Sequence, residues 1–370
     1  MRIRPEDLIR VFVALSLICA RGWGQIIENP AKPIAKNAGR IVTLEEELMI
    51  EDTGAGYFFK NPGPIRVSPR GDIFFKDGPE QALHFDPEGR FVRNLFKKGQ
   101  GPGELSTLGD TWASPDRLYL RGNPPKILVF DYEGNLIQEL PLHGALLGGR
   151  FILADQANLL LYGMGRPDPS GGTGFVNMPW EINAISPDGG SRETIGSFPI
   201  RSFQEVQEGG AVSGTSWNQL QVAALDGNSL FLNYSPEYLI EHFARDKKAV
   251  DLRFRRPYER QKRIESGGVS GTRGSQPPAP EFWPDIYALH VVDSRLWVQT
   301  WTVVEGKGIL FDVFDTKGRY IDGFYVQSMM KGEDGQPARV RMTIAGGCAY
   351  FTEETSDGLI VIRKCRLVGL

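Results

Sequence analysis

The sequence predicts an all-β fold, a six-bladed β-propeller closed by pairing of the N-terminal strand with the C-terminal blade. Short apolar, strand-like runs recur along the chain, and a turn ending in glycine follows most of them. Repeats of about 40–50 residues that hold several short strands are typical of propellers. The six runs cover residues 72–75, 117–120, 158–162, 229–232, 295–298 and 348–351.

Blade one shows the repeat most clearly, with four predicted strands at residues 65–67, 72–76, 82–85 and 90–96. Residues 86–89, Asp-Pro-Glu-Gly, form the predicted turn between its last two strands. Asp bonds back to the chain, Pro presets φ, and Gly closes the turn. Similar turns are predicted at residues 131–134, 186–189 and 315–318. In blade four the corresponding turn, residues 244–247, has no glycine.

The last blade lacks a strand of its own. Its inner, second and third strands are predicted near residues 340–344, 348–352 and 359–364, and the chain ends at Leu370. Residues 41–50 form an apolar-flanked run upstream of blade one, with no local partner. An unpaired edge strand is prone to aggregate. We therefore expect this run to supply the outermost strand of the last blade and to close the ring.

Composition excludes few classes of function. The chain has 370 residues, of which 41% are hydrophobic and 24% charged, with a net charge of −3. This balance is ordinary for a folded protein and gives no general reason to expect nucleic acid as a partner. Residues 245–263 hold nine Lys or Arg against three acids, which we interpret as a charged outer strand protected against edge pairing. We expect a monomer.

The N-terminus has the pattern of an export signal. Arg2, Arg4 and Arg10 precede an apolar run at residues 11–20, followed by small residues. The run is too short to span a bilayer, which needs about 20 residues; an N-terminal anchor or a buried helix is the alternative. The predicted division is a signal peptide at 1–24, a linker at 25–39 and the propeller at 40–370, in an exported protein, periplasmic or secreted, without a membrane span.

Two cysteines lie in the predicted mature chain, Cys348 and Cys365. A hairpin centred between Ser356 and Asp357 would place them directly opposite each other. Cross-strand β-carbons lie about 4.5–5.5 Å apart, close to disulfide geometry. Both a disulfide in an oxidising compartment and two small buried residues side by side fit this placement.

Residues 98–105, KGQGPGEL, resemble the KGxGPGEF motif of a bacterial six-bladed β-propeller family related to NHL-repeat proteins. The flanking runs VSPRGDIFF, FDPEGRFVRNL and ILVFDYEGNLI are also similar to that family, as are FWPD at 282–285 and VDSRLWV at 292–298. The resemblance covers roughly residues 65–140 and 282–326. Leu105 stands where the family usually has Phe. The resemblance implies a six-bladed propeller, usually exported, and implies no reaction.

The sequence contains no catalytic motif of the HExxH, CxxC or GxSxG type. We therefore predict a binding or scaffolding module for a small molecule, a glycan or a protein. Propeller ligands usually bind where the inner strands begin, and Asp110 is one of the residues near such a point. Trp beside Arg can stack a sugar ring or hold an acidic group. The residues expected to bind the ligand are Glu104, Arg150, Trp217, Trp283 and Arg341.

The alternative function is a metal-dependent hydrolase or lyase at the mouth of the central channel. Glu104, Asn218 and Asp285 are the candidate ligands for a divalent cation such as Ca²⁺, because hard cations prefer oxygen donors. The metal would polarise the substrate and lower the pKa of a bound water. A third interpretation is that these residues close the channel mouth and bind only water.

Overall fold

The computed structural model describes residues 25–370 except 53, 55, 143–146, 166–171, 207–211, 217, 264–279 and 328–339. The described part is all-β and contains no helix. No segment of it could therefore cross a membrane as a helix.

The strands of the first half are β1 (Ile26–Glu28), β2 (Arg40–Ile50), β3 (Arg66–Val67), β4 (Ile73–Asp77), β5 (Gln81–Phe85), β6 (Phe91–Asn94), β7 (Thr107–Ala113), β8 (Leu118–Asn123), β9 (Lys126–Phe130), β10 (Leu136–Pro141), β11 (Leu147–Ala154), β12 (Leu159–Met164) and β13 (Gly174–Ile185). Those of the second half are β14 (Arg192–Val206), β15 (Val212–Thr215), β16 (Gln221–Ala224), β17 (Ser229–Asn233), β18 (Ile240–Ala244), β19 (Ala249–Arg255), β20 (Ile286–Val292), β21 (Arg295–Val304), β22 (Gly308–Phe314), β23 (Tyr320–Val326), β24 (Thr343–Ala345), β25 (Cys348–Glu354) and β26 (Ile360–Val368).

Hydrogen bonding divides these strands into five sheets. Strands β3–β6 and β7–β10 form two four-stranded antiparallel meanders, and β11–β15 form a five-stranded one. Strands β16–β19 form the fourth meander, with β1 added at its outer edge. The fifth sheet has eight strands in the order β20-β21-β22-β23-β2-β26-β25-β24.

Strand β2 joins the two ends of the chain. Thr43–Ile50 pairs antiparallel with β26, from Thr43 opposite Val368 to Ile50 opposite Ile362. The pairing expected for residues 41–50 is therefore present. The first residues of β2, Arg40–Val42, also pair in parallel with β23. This second pairing fuses β20–β23 and β24–β26 into one sheet, so the hydrogen bonds give five sheets where the sequence predicted six.

The innermost strands form a ring. Strand β3 contacts β7, β7 contacts β11, β11 contacts β16, β16 contacts β20, β20 contacts β24, and β24 contacts β3. Consecutive meanders are therefore arranged around a common axis, as in a propeller.

The core lies between adjacent sheets and follows the two-residue period of the strands. On β4, Phe74 packs with Leu108 and Leu128 of the next sheet. Its neighbours Ile73 and Phe75 point to the other face and pack with Tyr350 of β25. Each meander thus buries both faces against its neighbours.

The glycine turns have the predicted geometry. In the turn at 86–89, Asp86 Oδ1 accepts from the backbone N of Glu88 and Arg90 at 3.1 and 2.9 Å, and Gly89 has φ +78°. In blade four the predicted position was wrong by one residue. The turn runs from Arg245 to Lys248, whose N–H donates to the Arg245 carbonyl at 3.1 Å, and Lys248 itself takes the left-handed φ of +48°.

Part of the segment predicted as a linker belongs to a sheet. Residues 26–28 pair in parallel with β19. Asn29 then donates to the Gly318 carbonyl at 2.9 Å and accepts from the Tyr320 N–H at 2.8 Å. This segment covers the edge of β19, which would otherwise be exposed.

The predicted facing of the two cysteines is wrong by one residue. Cys348 pairs with Arg366, and Cys365 pairs with Ala349. Because neighbouring residues of a strand point to opposite faces, the two thiols lie on opposite faces of the sheet. Each is buried in a different core cluster, and no disulfide joins them. Burial raises the pKa of Cys365 to about 11.

Candidate binding site between the fourth and fifth sheets

A cavity of about 240 Å³ lies where the inner strands β16 and β20 meet. Four side-chain amides line it, together with Ser235, two aromatic residues and one arginine. The amides belong to Asn218, Gln219, Gln221 and Asn233. The lining is therefore rich in groups that both donate and accept hydrogen bonds.

The strand register places two of these amides. Gln221 opens β16 and pairs with Asn233, the last residue of β17. The Asn233 amide nitrogen donates to the carbonyls of Leu239 and Glu237 at 2.9 and 3.2 Å. Asn233 is only 3% exposed, so these hydrogen bonds within its own blade fix the orientation of its side chain.

The aromatic wall of the cavity is a layered stack. Trp301, on β21, lies parallel to Trp283, with ring centroids 4.3 Å apart and an angle of 6° between the planes. Tyr287 meets Trp301 edge-on at 4.9 Å. On the far side of Trp283, the Arg263 guanidinium lies 4.1 Å from the ring centroid. Stacked and edge-on aromatic pairs of this kind add stabilisation beyond that of their buried area.

Arg341 is the one arginine among the described residues that lines the cavity. Its Nη2 donates to Gln221 Oε1 at 3.4 Å. It also lies near His290 of β20: burial lowers the pKa of His290 to about 4, and the charge of Arg341 lowers it in the same direction. The lining of the cavity therefore carries a positive charge.

The structure places the residues predicted to bind the ligand, and Asn218 predicted as a metal ligand, in several parts of the ring. Asn218 and Arg341 line the cavity, and Trp283 supports its aromatic wall from behind. Arg150 lies on the inner strand β11, near Arg66. Trp217 lies outside the described residues.

Glu104 belongs to the loop that connects the first two sheets. Its Oε2 accepts from the Gly101 N–H at 3.0 Å, and a Cβ on Gly99 would collide with the same carboxylate. Lys126 donates to the Gly101 carbonyl at 2.8 Å. These contacts give the glycine-rich run a structural role as the crossover between two sheets, because a side chain at Gly99 would displace the Glu104 carboxylate.

Asp285 has partners of its own between the fourth and fifth sheets. It accepts from Arg260 Nε and from the Tyr238 N–H, each at 2.9 Å, and is 3% exposed. Burial raises its pKa, against the opposing charge of Arg260. Among the described residues no group of three His, Cys, Asp or Glu is placed to hold a metal, and the contacts of Glu104 and Asp285 lie in different parts of the ring.

Sequence reasoning missed Trp301, Tyr287 and Gln221. The predicted strand ended at Val298, whereas β21 continues to Val304 and carries Trp301 into the cavity. The available signal was the second tryptophan in the run LWVQTW, which extends the strand pattern beyond the predicted end. Tyr287 and Gln221 stand at the starts of inner strands, where the ligand site was expected.

The comparisons with known proteins give the class of fold. No protein-family model matches the chain, and no curated protein matches it in sequence. Among solved structures, the chain is similar to a protein of Bacteroides fragilis NCTC 9343, named as an exported protein, with a TM-score of 0.50 and 13% identity. The match covers 92% of this chain and 99% of that one.

A second structural match is BamB from Moraxella catarrhalis, with a TM-score of 0.39 and 10% identity over 91% of this chain and 94% of that one. At such low identity, similarity concerns the fold alone. The strand content and the ring of contacting inner strands define the described part of the chain as all-β with a propeller-like arrangement.

Proposed function

We propose that this chain is an exported six-bladed β-propeller, related to the NHL-like family, that acts as a binding or scaffolding module. The closed ring of six contacting inner strands supports the blade count, with β2 as the fourth strand of the last blade. The N-terminal pattern of residues 1–24 and the name of the Bacteroides match support export.

We propose a saccharide as the ligand, bound in the cavity between the fourth and fifth sheets. The observation that carries this proposal is the combination of the parallel Trp283–Trp301 stack with several amides around one small cavity. A sugar ring presents apolar C–H groups to an aromatic face and hydroxyl groups to amides, which can both donate and accept. The volume of about 240 Å³ suits a single sugar ring rather than a long chain, with the remainder of a glycan outside.

The test is a panel of mono- and oligosaccharides measured by thermal shift and then by calorimetry. We expect at least one to bind saturably and Trp301→Ala to abolish its binding, while the protein remains folded by circular dichroism. Phe58→Ala removes an aromatic ring that is 45% exposed outside the cavity and is the matched control. Undiminished binding by Trp301→Ala would show that the ligand site lies elsewhere.

The same measurement separates the metal-dependent alternative. A hydrolase or lyase using Glu104, Asn218 and Asp285 would need both carboxylates to leave their present partners. In that case Ca²⁺ or Mn²⁺ should raise the melting temperature and EDTA should remove ligand binding. For a metal-independent binding module we expect EDTA to have no effect.

A further inference from the structure

Three arginines lie on, or just before, three different inner strands of the ring. Arg66 lies on β3, Arg150 on β11, and Arg341 two residues before β24. Burial lowers the pKa of Arg66, and the charges of Arg341 and Arg150 lower it in the same direction. Arg66 therefore lies near both of the other guanidinium groups, and its strand β3 contacts β24 and, through β7, connects to β11.

Two more cations reach the same region from second strands. Lys76 Nζ lies 3.3 Å from the carbonyl oxygens of Leu108 and Gly109 on β7. Arg121, on β8, places Nη2 2.6 Å from where a Cβ on Gly109 would lie. The absence of a side chain at Gly109 thus makes room for this guanidinium. Burial lowers the pKa of both Lys76 and Arg121.

Asp110 is the main carboxylate among these cations. It is 3% exposed, and its Oδ2 accepts from the Phe151 N–H at 2.7 Å. Its charge raises the pKa of Arg66, Lys76 and Arg121, against the effect of burial. One carboxylate cannot balance five cations. Asp77, which acts weakly on Lys76, accepts instead from the N–H groups of Lys60 and Asn61, at 2.8 and 2.6 Å.

The cations lack direct partners of opposite charge. Within the part of the chain that the structure describes, none of the five forms an ion pair within 4.0 Å. The Nε atoms of Arg66 and Arg121 are buried and find no hydrogen-bond acceptor there. The guanidinium of Arg66 lies 4.5 Å from the ring centroid of Trp112, which compensates only part of its desolvation. Arg66, Lys76 and Arg121 are half-buried, whereas Arg150 and Arg341 are exposed. A half-buried cluster of positive charge beside two accessible arginines favours a bound anion.

We propose that the ring axis binds an anion with more than one negative charge, a phosphate or a polycarboxylate, held by Arg66, Arg150 and Arg341. Guanidinium groups bind planar or tetrahedral oxyanions through pairs of parallel hydrogen bonds. The site goes beyond the saccharide cavity and does not depend on it, although Arg341 borders both. Asp110 limits the affinity and orients the backbone of β11.

The experiment uses the full mature chain with inorganic phosphate and with citrate as probes, in titration calorimetry at constant ionic strength maintained with NaCl. We expect saturable binding of at least one probe with a stoichiometry of one. Phosphate alone binding identifies a phosphate site, and citrate alone a polycarboxylate site. Heats that match the NaCl control for both probes would overturn the proposal.

Variants test the position of the site. Arg150→Gln and Arg341→Gln should each weaken binding about tenfold, the effect of losing one charge-assisted hydrogen bond, whereas Asp110→Asn should strengthen it. The matched control is Arg295→Gln, an equal change of charge at an exposed residue of β21. An equal loss in Arg295→Gln would indicate general charge attraction and refute the site. Trp301→Ala should leave the anion affinity unchanged, which separates this proposal from that of the saccharide.

Discussion

The carboxylate of Asp312 forms a buried ion pair with Arg256, with 2.6 Å between Oδ2 and Nη2. Asp312 is fully buried and also accepts from the hydroxyl groups of Tyr238 and Tyr320, at 2.7 and 2.6 Å. The network connects β22 and β23 of the fifth sheet with residues that follow β17 and β19 of the fourth. The network therefore links the two sheets, because side chains from both of them donate hydrogen bonds to the same carboxylate.

Asp312→Ala should destabilise the fold strongly. The substitution leaves Arg256 as an uncompensated buried cation and removes the acceptor of two phenols, which costs about 3–5 kcal/mol. Urea unfolding measures this loss. The control is Glu80→Ala, which breaks the exposed ion pair with Lys98 and should leave the midpoint nearly unchanged, because surface pairs contribute little. Similar midpoints for the two variants would contradict the structural importance of the network.

Lys248→Gly should stabilise the protein. Lys248 has a φ of +48° at the turn position where the other blades carry glycine, and a left-handed conformation costs a residue with a side chain about 1 kcal/mol. Glycine adopts it freely, although greater freedom in the unfolded chain offsets part of the gain. The melting temperature measures the effect. Lys247→Gly, next to it, should not raise the melting temperature; a rise as large as that of Lys248→Gly would rule out the backbone explanation.

His290 should make stability depend on pH. Burial lowers its pKa to about 4 in the folded protein, whereas the unfolded chain has a value near 6.5. Between these two pH values the unfolded chain binds a proton that the folded protein does not, so protonation of His290 favours unfolding. The full free energy of unfolding is therefore present above about pH 6.5, and part of it is lost as the pH falls towards 4. The loss amounts to at most about 3 kcal/mol.

The measurement compares urea unfolding of the wild type and His290→Gln at several pH values between 7.5 and 4.5. Because carboxylates titrate in both proteins, the difference between the two curves isolates the histidine. We expect the wild type to lose more stability than the variant as the pH falls. Parallel curves would contradict the buried neutral state of His290.

The repeated elements of the fold were predictable because they rest on local chemistry. Strand positions followed from apolar runs, and most turns followed from Asp and Gly at fixed offsets. The pairing of β2 followed from a physical requirement, an unpaired edge at the last blade. The one-residue error at the C-terminal hairpin has a local cause. Thr355 N–H donates to the Leu359 carbonyl at 2.8 Å, and Gly358 has φ +79°.

That geometry is a three-residue loop with a glycine bulge, rather than the symmetric turn assumed from the sequence. The added residue moves Cys348 to the position opposite Arg366. The sites were harder to predict, since they depend on contacts between sheets. Nothing in the local pattern around Arg66 indicates that Arg341, at the other end of the chain, lies near it.

Removal of β2 should unfold much more than one strand. Arg40 forms two hydrogen bonds with Asp322, Nη1 to Oδ1 at 3.0 Å and Nη2 to Oδ2 at 2.9 Å, and the rest of β2 pairs along β26. A chain that begins after Ile50 would expose the edges of both β23 and β26, so we expect aggregation or loss of cooperative unfolding. A chain that begins at Arg40 keeps the closure but loses β1, and should unfold cooperatively with a modestly lower midpoint. If the shorter chain folded as stably as the longer one, closure by β2 would not be what holds the ring together.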